Sequence, residues 1–337
     1  MLAERCQTLV SLVTGASGFI GGHLVAELLA DKGGSVRALV RRAESATELH
    51  GADVCIGDVR DANVVEDAML GVDVVYHCAT GARTASSPRE ARDIALTGTR
   101  NVLEGLRRAV SGRAVLLTGL IVLGARHLDA ASEDLPYRRS GDAVSDVKIE
   151  IEQMAWEYGQ RHGVDVTVLR PSLVYGPRDG HNLPQMIRAL RRGGFAFIRS
   201  RENVVPIVYV SDMVRAMRLA ACTPAARGRA YHITDGSRTT IGAFIDCLAE
   251  LLGCPAPQKV LPFVVPYVGC LLFETLAALR VYRGRVPISR TGMNYLGYSS
   301  VIDITRARRE LGYEPRVSYR DGLALALKGA EQTVPEA

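Results

Sequence analysis

An apolar strand, a glycine-rich turn and an apolar-periodic helix follow one another at the start of the chain. No other feature restricts the fold as strongly. Leu9 to Val13 is an apolar run of strand length, followed by Thr14-Gly15-Ala16-Ser17-Gly18-Phe19-Ile20-Gly21-Gly22. His23 to Ala30 then repeats Leu24, Val25, Leu28 and Leu29 at helical spacing. In that context the glycines read as a dinucleotide fingerprint rather than a plain flexible turn. Gly15 permits the tight turn, Gly18 lets the backbone approach a pyrophosphate, and Gly21 lets helix and strand pack closely. The free N–H groups and the positive dipole end of the helix would then meet the phosphates.

Further strands follow in order. Ser35 to Val40, Asp53 to Ile56, Val72 to Ala79, Ala114 to Thr118 and Asp165 to Leu169 are each short, apolar and separated by helical stretches, one of which Thr97-Gly98-Thr99-Arg100-Asn101 is expected to open. Strands alternating with helices at this spacing imply an α/β fold with a doubly wound parallel sheet. The 337 residues, 47% of them hydrophobic, suffice for a substantial core. The net charge of +5 is mild and the basic residues are dispersed, with no basic stripe interleaved with aromatics, which argues against nucleic acid as a partner. Seven cysteines show neither a Cys-x-x-Cys pair nor a histidine at metal spacing, so no metal is expected. Cys55 and Cys78 fall on strands expected to be buried, and the odd cysteine count points to a reducing, cytoplasmic setting. Val260 to Leu272 is apolar but interrupted by Pro262, Pro266 and Gly269. A membrane span needs about 20 mostly apolar residues, so this stretch is read as a buried or substrate-facing helix, with peripheral membrane contact as the lesser alternative.

These motifs resemble the extended short-chain dehydrogenase/reductase superfamily, in the branch of NAD-dependent epimerase/dehydratase and 3β-hydroxysteroid-dehydrogenase-like proteins. The resemblance is carried by Thr14 to Gly21, Gly57-Asp58, His77-Cys78-Ala79, Gly98-Thr99-x-Asn101-Val102, Arg170-Pro171-x-x-x-Tyr175-Gly176-Pro177, Val210-Ser211-Asp212 and Ala307 to Pro315. It covers nearly the whole chain. It implies a Rossmann-type dinucleotide-binding domain in residues 1–170, to which 205–235 return, and a substrate lobe in 171–204 and 236–337. It also implies a small-molecule substrate and a homodimer built through a helix pair that includes the Lys148 helix. Gly15, Ser17, Gly18, Phe19, Ile20, Gly21, Arg41, Arg42, Asp58, Val59, Ala79 and Lys148 are the positions it assigns to the cofactor.

The choice of cofactor turns on the end of the second strand, where an acidic residue would accept the ribose hydroxyls of NAD. Counting ~20 residues on from the glycines leads to Leu39-Val40. No Asp or Glu occurs between Ser35 and Arg42, whereas Arg37, Arg41 and Arg42 do. An arginine can clamp a 2′-phosphate bidentately, which favours NADP and leaves NAD open.

The family's catalytic set is a tyrosine that moves the proton, a lysine four residues later, and a Ser or Thr on the fifth strand. Here the lysine is Lys148, but the tyrosine position is Val144. The hydroxyl position, counted back from Gly124, is Gly119, with Thr118 expected to face the other way. A family asparagine position is Ala95. Three polar sites have become apolar while the glycine loop stays intact. Lys148 is read as a cofactor-ribose ligand, with an exposed Lys148/Glu150/Glu152 helix face as the alternative. Tyr175 ranks first as a substitute acid, ahead of His181 and Asp146, although each also suits an ordinary structural role. Three functions therefore stay open. The first is an NADP(H)-dependent oxidoreductase acting on a secondary alcohol or ketone of a lipophilic or secondary-metabolite substrate, by non-standard proton transfer. The second is a non-redox cyclase, isomerase or dehydratase in the same pocket, and the third a cofactor-sensing scaffold without catalysis.

Overall fold

The computed structural model describes residues 9–31, 34–80, 87–109, 112–124, 126–141, 143–278 and 290–331. Seven strands form one parallel sheet: β1 Ser11–Thr14, β2 Val36–Val40, β3 Asp53–Ile56, β4 Val74–His77, β5 Arg113–Leu117, then Asp165–Pro171 (β7) and Ala230–Ile233 (β11). Their spatial order is β11-β7-β5-β4-β1-β2-β3, and every pairing is parallel. The order reverses at β1, between β2 and β4. That reversal opens a crevice at the carboxyl ends of the strands, where α/β sheets bind ligands. The remaining strands form three two-stranded parallel sheets. These are β6 (Leu128–Ala131) with β13 (Ser300–Ile302), β8 (Leu173–Tyr175) with β10 (Ile207–Tyr209), and β9 (Phe197–Ile198) with β12 (Val260–Leu261).

Helices cover both faces of the main sheet because successive strand residues point in opposite directions. On β1, Leu12 belongs to one buried cluster with Val102, Leu103, Ile151 and Ala155, while its neighbour Val13 belongs to another with Leu24, Val25, Met213 and Met217. The helices supplying those residues are α1 (Phe19–Ala30), α3 (Pro88–Ala109), α4 (Ala143–His162) and α6 (Val210–Cys222); α2 is Ala62–Ala68 and α5 Asn182–Arg191. Strands buried on both faces need no polar alternation, and β1 and β4 are buried throughout.

Two local expectations shift. The Thr97 to Asn101 motif lies in the middle of α3 and does not open it. The helix begins at Pro88, where proline's fixed φ suits the first turn and Ser87 Oγ accepts the Glu90 N–H at 3.2 Å. Gly98 is nevertheless required within that helix, since a Cβ there would meet Val59 Cγ1 at 2.7 Å.

The apolar stretch from Val260 forms the end strand β12 and then helix α8 (Val264–Ala278), after α7 (Ile241–Leu251). Val264, Val265, Val268 and Leu272 are all more than half exposed, so a buried helix does not describe its first turns. No helix among the described residues is long and apolar enough to cross a membrane. Cys222 is disulfide-bonded, which the reading of the cysteines as reduced thiols did not anticipate; Cys55, Cys78, Cys247, Cys254 and Cys270 are free. The last two helices are α9 (Arg290–Gly297) and α10 (Tyr319–Glu331).

Candidate cofactor cleft and catalytic groups

At the β1/β4 reversal lies a cleft of about 340 Å³. Gly15, Ser17, Gly18, Phe19, Ile20, Gly21, Arg41, Arg42, Asp58, Val59, Ala79 and Lys148 all line it, so the cofactor positions read from sequence converge on one place. The turn from β1 into α1 explains the glycines. Gly15 has φ 67°, and a Cβ on it would sit 2.9 Å from Ala79 N. A Cβ at Gly21 would lie 2.3 Å from Gly15 O, so strand, turn and helix meet backbone to backbone. Helix α1 starts at Phe19, leaving the first N–H groups of the helix without intrahelical acceptors, as at any helix start. Among the described lining residues, Arg41, Arg42 and Lys148 are the cations, against the single carboxylate of Asp58. A side-chain-free cradle at a helix N-terminus with net positive lining fits a dinucleotide diphosphate.

The three arginines considered for the 2′-phosphate separate. Arg37 is taken up by Asp53 at 2.9 Å and by the Ala68 and Leu70 carbonyls, while Arg41 and Arg42 border the cleft beside Ser45. Asp58 is turned both to the cleft and to its own loop. It lines the cleft, and its carboxylate accepts from the Arg60 backbone N–H at 2.9 Å and the Arg60 guanidinium at 2.7 Å. That guanidinium holds the Asp58 carboxyl below the usual carboxylate range. Asn101 Nδ2 donates to Val59 O at 3.0 Å and anchors the same loop.

Lys148 comes from α4 and reaches the inner end of the cleft. Its Nζ donates to Thr80 O at 2.6 Å and to Thr80 Oγ1 at 2.8 Å. Thr80 Oγ1 donates in turn to Leu117 O at 2.6 Å, so its lone pairs stay turned to the lysine. Lys148 is 7% exposed and Glu152, one turn on, is 0% exposed, which overturns the exposed-face alternative. Only Glu150 turns outward, where it pairs with Arg92. Burial pushes the Lys148 ammonium down to about 7, with Glu152 and Cys78 acting weakly in the opposite sense. Beneath the cleft, Thr14 Oγ1 is 2.7 Å from His77 Nδ1, and His77 Nε2 is 3.1 Å from Thr99 Oγ1. Burial, reinforced by Lys148, pushes His77 down to about 3, so this chain of contacts is neutral and ties β1 and β4 to α3.

The substitute acids fare differently from the cofactor positions. Tyr175 does not line the cleft: it is 2% exposed, packed edge-on against Tyr209 and Phe244, and a Cβ at Gly322 of α10 would meet its hydroxyl oxygen at 2.4 Å. Burial raises its pKa strongly, which disfavours the phenolate. It is a core residue of the β8/β10 sheet, and the expectation that it serves as a substitute acid is corrected. His181 is exposed ahead of α5, with its N–H on Asp179. Asp146 accepts the Ser140 and Gly141 N–H groups and serves to close the turn before α4. Val144 lies in α4 one turn before Lys148, and its side chain is outside the described residues. Gly119 has φ 156° and ψ 159°, a region open essentially to glycine alone, so a serine there would be strained. Ala95 is buried, and its carbonyl accepts from Thr99 Oγ1 at 2.6 Å.

Thr118 does line the cleft, because β5 ends at Leu117 and the strand alternation no longer governs the next residue. Its hydroxyl donates to Glu152 Oε1 at 2.6 Å. Glu152 is the hub of a buried network that sequence reasoning missed. It accepts from Arg170 Nη2 at 2.7 Å and from Tyr137 OH at 2.8 Å, and Tyr137 OH accepts from Trp156 Nε1 at 2.7 Å. Burial, then Glu152, pushes Tyr137 up to about 12. No tyrosine is among the described residues lining the cleft.

The model of the NAD dependent epimerase/dehydratase family matches residues 11–234. A curated relative, the 4-hydroxy-2-methyl-3-oxo-4-farnesyl-3,4-dihydroquinoline-1-oxide ketoreductase of Stigmatella aurantiaca, is 30% identical over 93% of this chain and 94% of its own length. The 2-alkyl-3-oxoalkanoate reductase of Stenotrophomonas maltophilia is 28% identical over 93% and 96% respectively. Among solved structures, UDP-glucuronic acid 4-epimerase from Bacillus cereus in complex with NAD superposes with a TM-score of 0.77 at 20% identity, covering 96% of this chain and 99% of the other. At that identity the likeness extends to the fold alone.

Proposed function

The chain belongs to the NAD dependent epimerase/dehydratase family, and from that premise we propose that it is an NADP(H)-dependent oxidoreductase interconverting a secondary alcohol and a ketone on a lipophilic substrate, with Lys148 as the proton-moving group. The observation that carries this reading is the setting of Lys148 Nζ. Among the described lining residues it is the one titratable amine and no tyrosine joins it, and Thr80 offers it two fixed acceptors. An ammonium has three N–H bonds. Two are committed to Thr80, so the third is left for the cleft. In the neutral amine the same two N–H bonds can stay on Thr80, and the freed position becomes a lone pair. The side chain can thus give a proton to an alkoxide or take one from an alcohol without changing its anchors.

A bound nicotinamide would supply or accept the hydride, held by the Gly15–Gly21 turn and by Arg41, Arg42 and Asp58. The chain itself supplies the proton at Lys148 Nζ, on a side chain buried at the inner end of the cleft. A group poised near the working pH is the effective general acid or base, and burial brings Lys148 there. The names of the two curated relatives, a ketoreductase and an oxoalkanoate reductase, support a ketone of mainly apolar body as substrate.

The assay that tests this reading follows cofactor absorbance and product together over a panel of apolar ketones. One NADPH is expected to be oxidised per alcohol formed, with NADPH preferred over NADH through Arg41 and Arg42. Product formed with no net change in cofactor absorbance would instead place the chain among non-redox isomerases or dehydratases.

A further inference from the structure

A second cavity lies beside the segment that follows Thr118. Thr118 borders the first, and Leu120 and Ile121, at the start of the 3-10 turn Leu120–Leu123, border the second. This second cavity is about 60 Å³, with Leu128, Pro206 and Ile302 adding to its apolar wall. Among the described residues, one cation enters that lining, Arg126. Its Nε and Nη2 atoms are both buried, and neither has a hydrogen-bond partner. No carboxylate is among the described residues lining the cavity. Two described acidic residues near it in sequence are engaged elsewhere: Asp129 faces Arg238, and Asp146 accepts the Ser140 and Gly141 N–H groups. The Tyr295 hydroxyl is committed too, donating to Pro206 O and accepting from Leu173 N at 3.0 Å.

Two buried guanidinium nitrogens without partners are costly for the protein alone, and burying polar groups unpaired is rare. The planar Nε/Nη2 edge matches a carboxylate through two parallel N–H···O bonds. We propose that Arg126 binds a carboxylate on the substrate, so that the preferred substrates are oxo carboxylic acids with an aliphatic body. The proposal rests on the oxidoreductase reading of the adjoining cleft and adds to it the substrate's charged group. Size favours a carboxylate over a nucleoside diphosphate. Sites for drug-sized ligands span roughly 300–1,000 Å³, whereas this cavity holds little more than a carboxylate and a short run of chain.

The test uses the full chain loaded with NADP⁺ or NADPH, and compares 3-oxooctanoate with its methyl ester in turnover and octanoate with its methyl ester in calorimetric binding. The native protein is expected to favour each acid by about 10- to 100-fold, the range of a hydrogen bond to a charged group. Arg126→Met is expected to bring acid and ester to parity through a raised KM for the acid, while Arg126→Lys keeps part of the preference. Because the guanidinium has no internal partner at Nε and Nη2, Arg126→Met should leave the thermal midpoint unchanged or higher, which separates lost recognition from lost folding. Octanoate binding that depends on Arg126, with neither oxo compound reduced, would sustain the carboxylate site and overturn the oxidoreductase reading. Equal turnover of acid and ester by the native protein, absent octanoate binding, or octanoate affinity unchanged in Arg126→Met would overturn the carboxylate site and leave the cleft's chemistry standing.

Discussion

Lys148→Met is expected to lower kcat/KM for ketone reduction by about 10²–10⁴-fold, the usual contribution of a positioned general acid. Lys148→Arg should be nearly as inactive. A guanidinium stays protonated under all working conditions and cannot hand over its proton, although it preserves charge and hydrogen bonding. That contrast distinguishes proton transfer from a purely anchoring role, in which arginine would restore much of the activity. Both variants should fold, since Thr80 Oγ1 keeps its bond to Leu117 O and the methionine replaces a buried amine with an apolar chain of similar length. Steady-state kinetics beside NADP⁺ affinity by fluorescence would show the loss in kcat rather than in cofactor binding alone. Full activity in Lys148→Arg would exclude the lysine as the proton-moving group.

The largest expected effect on stability falls on Glu152. Its carboxylate is 0% exposed and meets Arg170, Thr118 and Tyr137 at 2.6 to 2.8 Å. Removing one member of a buried ion pair leaves the other charge uncompensated, at a cost of about 3–5 kcal/mol. Glu152→Leu should therefore lower unfolding free energy by that amount in denaturant titration, with Arg170 left in an apolar setting. The double variant Glu152→Leu/Arg170→Met should recover much of the loss, because two well-packed apolar side chains can replace a buried pair at little net cost. Simple addition of the two single losses would show that Glu152 and Arg170 act independently, contrary to their 2.7 Å contact. Glu152→Leu also frees the Thr118 hydroxyl beside the cleft, so activity should fall with stability.

What could be read from sequence divides along the range of the interactions involved. The β1–turn–α1 unit is local: strand, glycines and helix lie within Ser11 to Ala30, and close approach at Gly15 and Gly21 follows from the missing Cβ atoms. The Lys148 position and Val144 before it are also local, set by one turn of α4. Tyr175 was misjudged because its surroundings come from Tyr209, Phe244 and Gly322, whose convergence no local pattern reveals. Glu152 carried a usable signal, since it sits one helical turn beyond Lys148 on the same face, but its partner Arg170 is 18 residues away on β7. Thr118 eluded the alternation rule because the strand stops one residue before it. Arg126 carried no signal at all. Its burial depends on walls supplied by residues from Leu120 to Ile302.

The most direct test is the pH dependence of single-turnover ketone reduction with NADPH bound. Burial places the Lys148 proton near neutrality, well below an ordinary lysine. Below about pH 7 the ammonium is present and reduction should run at its plateau; above it the rate should fall about tenfold per pH unit as the acid form disappears. Alcohol oxidation should show the opposite limb, rising through the same pH. A reduction rate that stays level from about pH 6 to about pH 9, with substrate and cofactor saturating, would contradict Lys148 as the source of the proton.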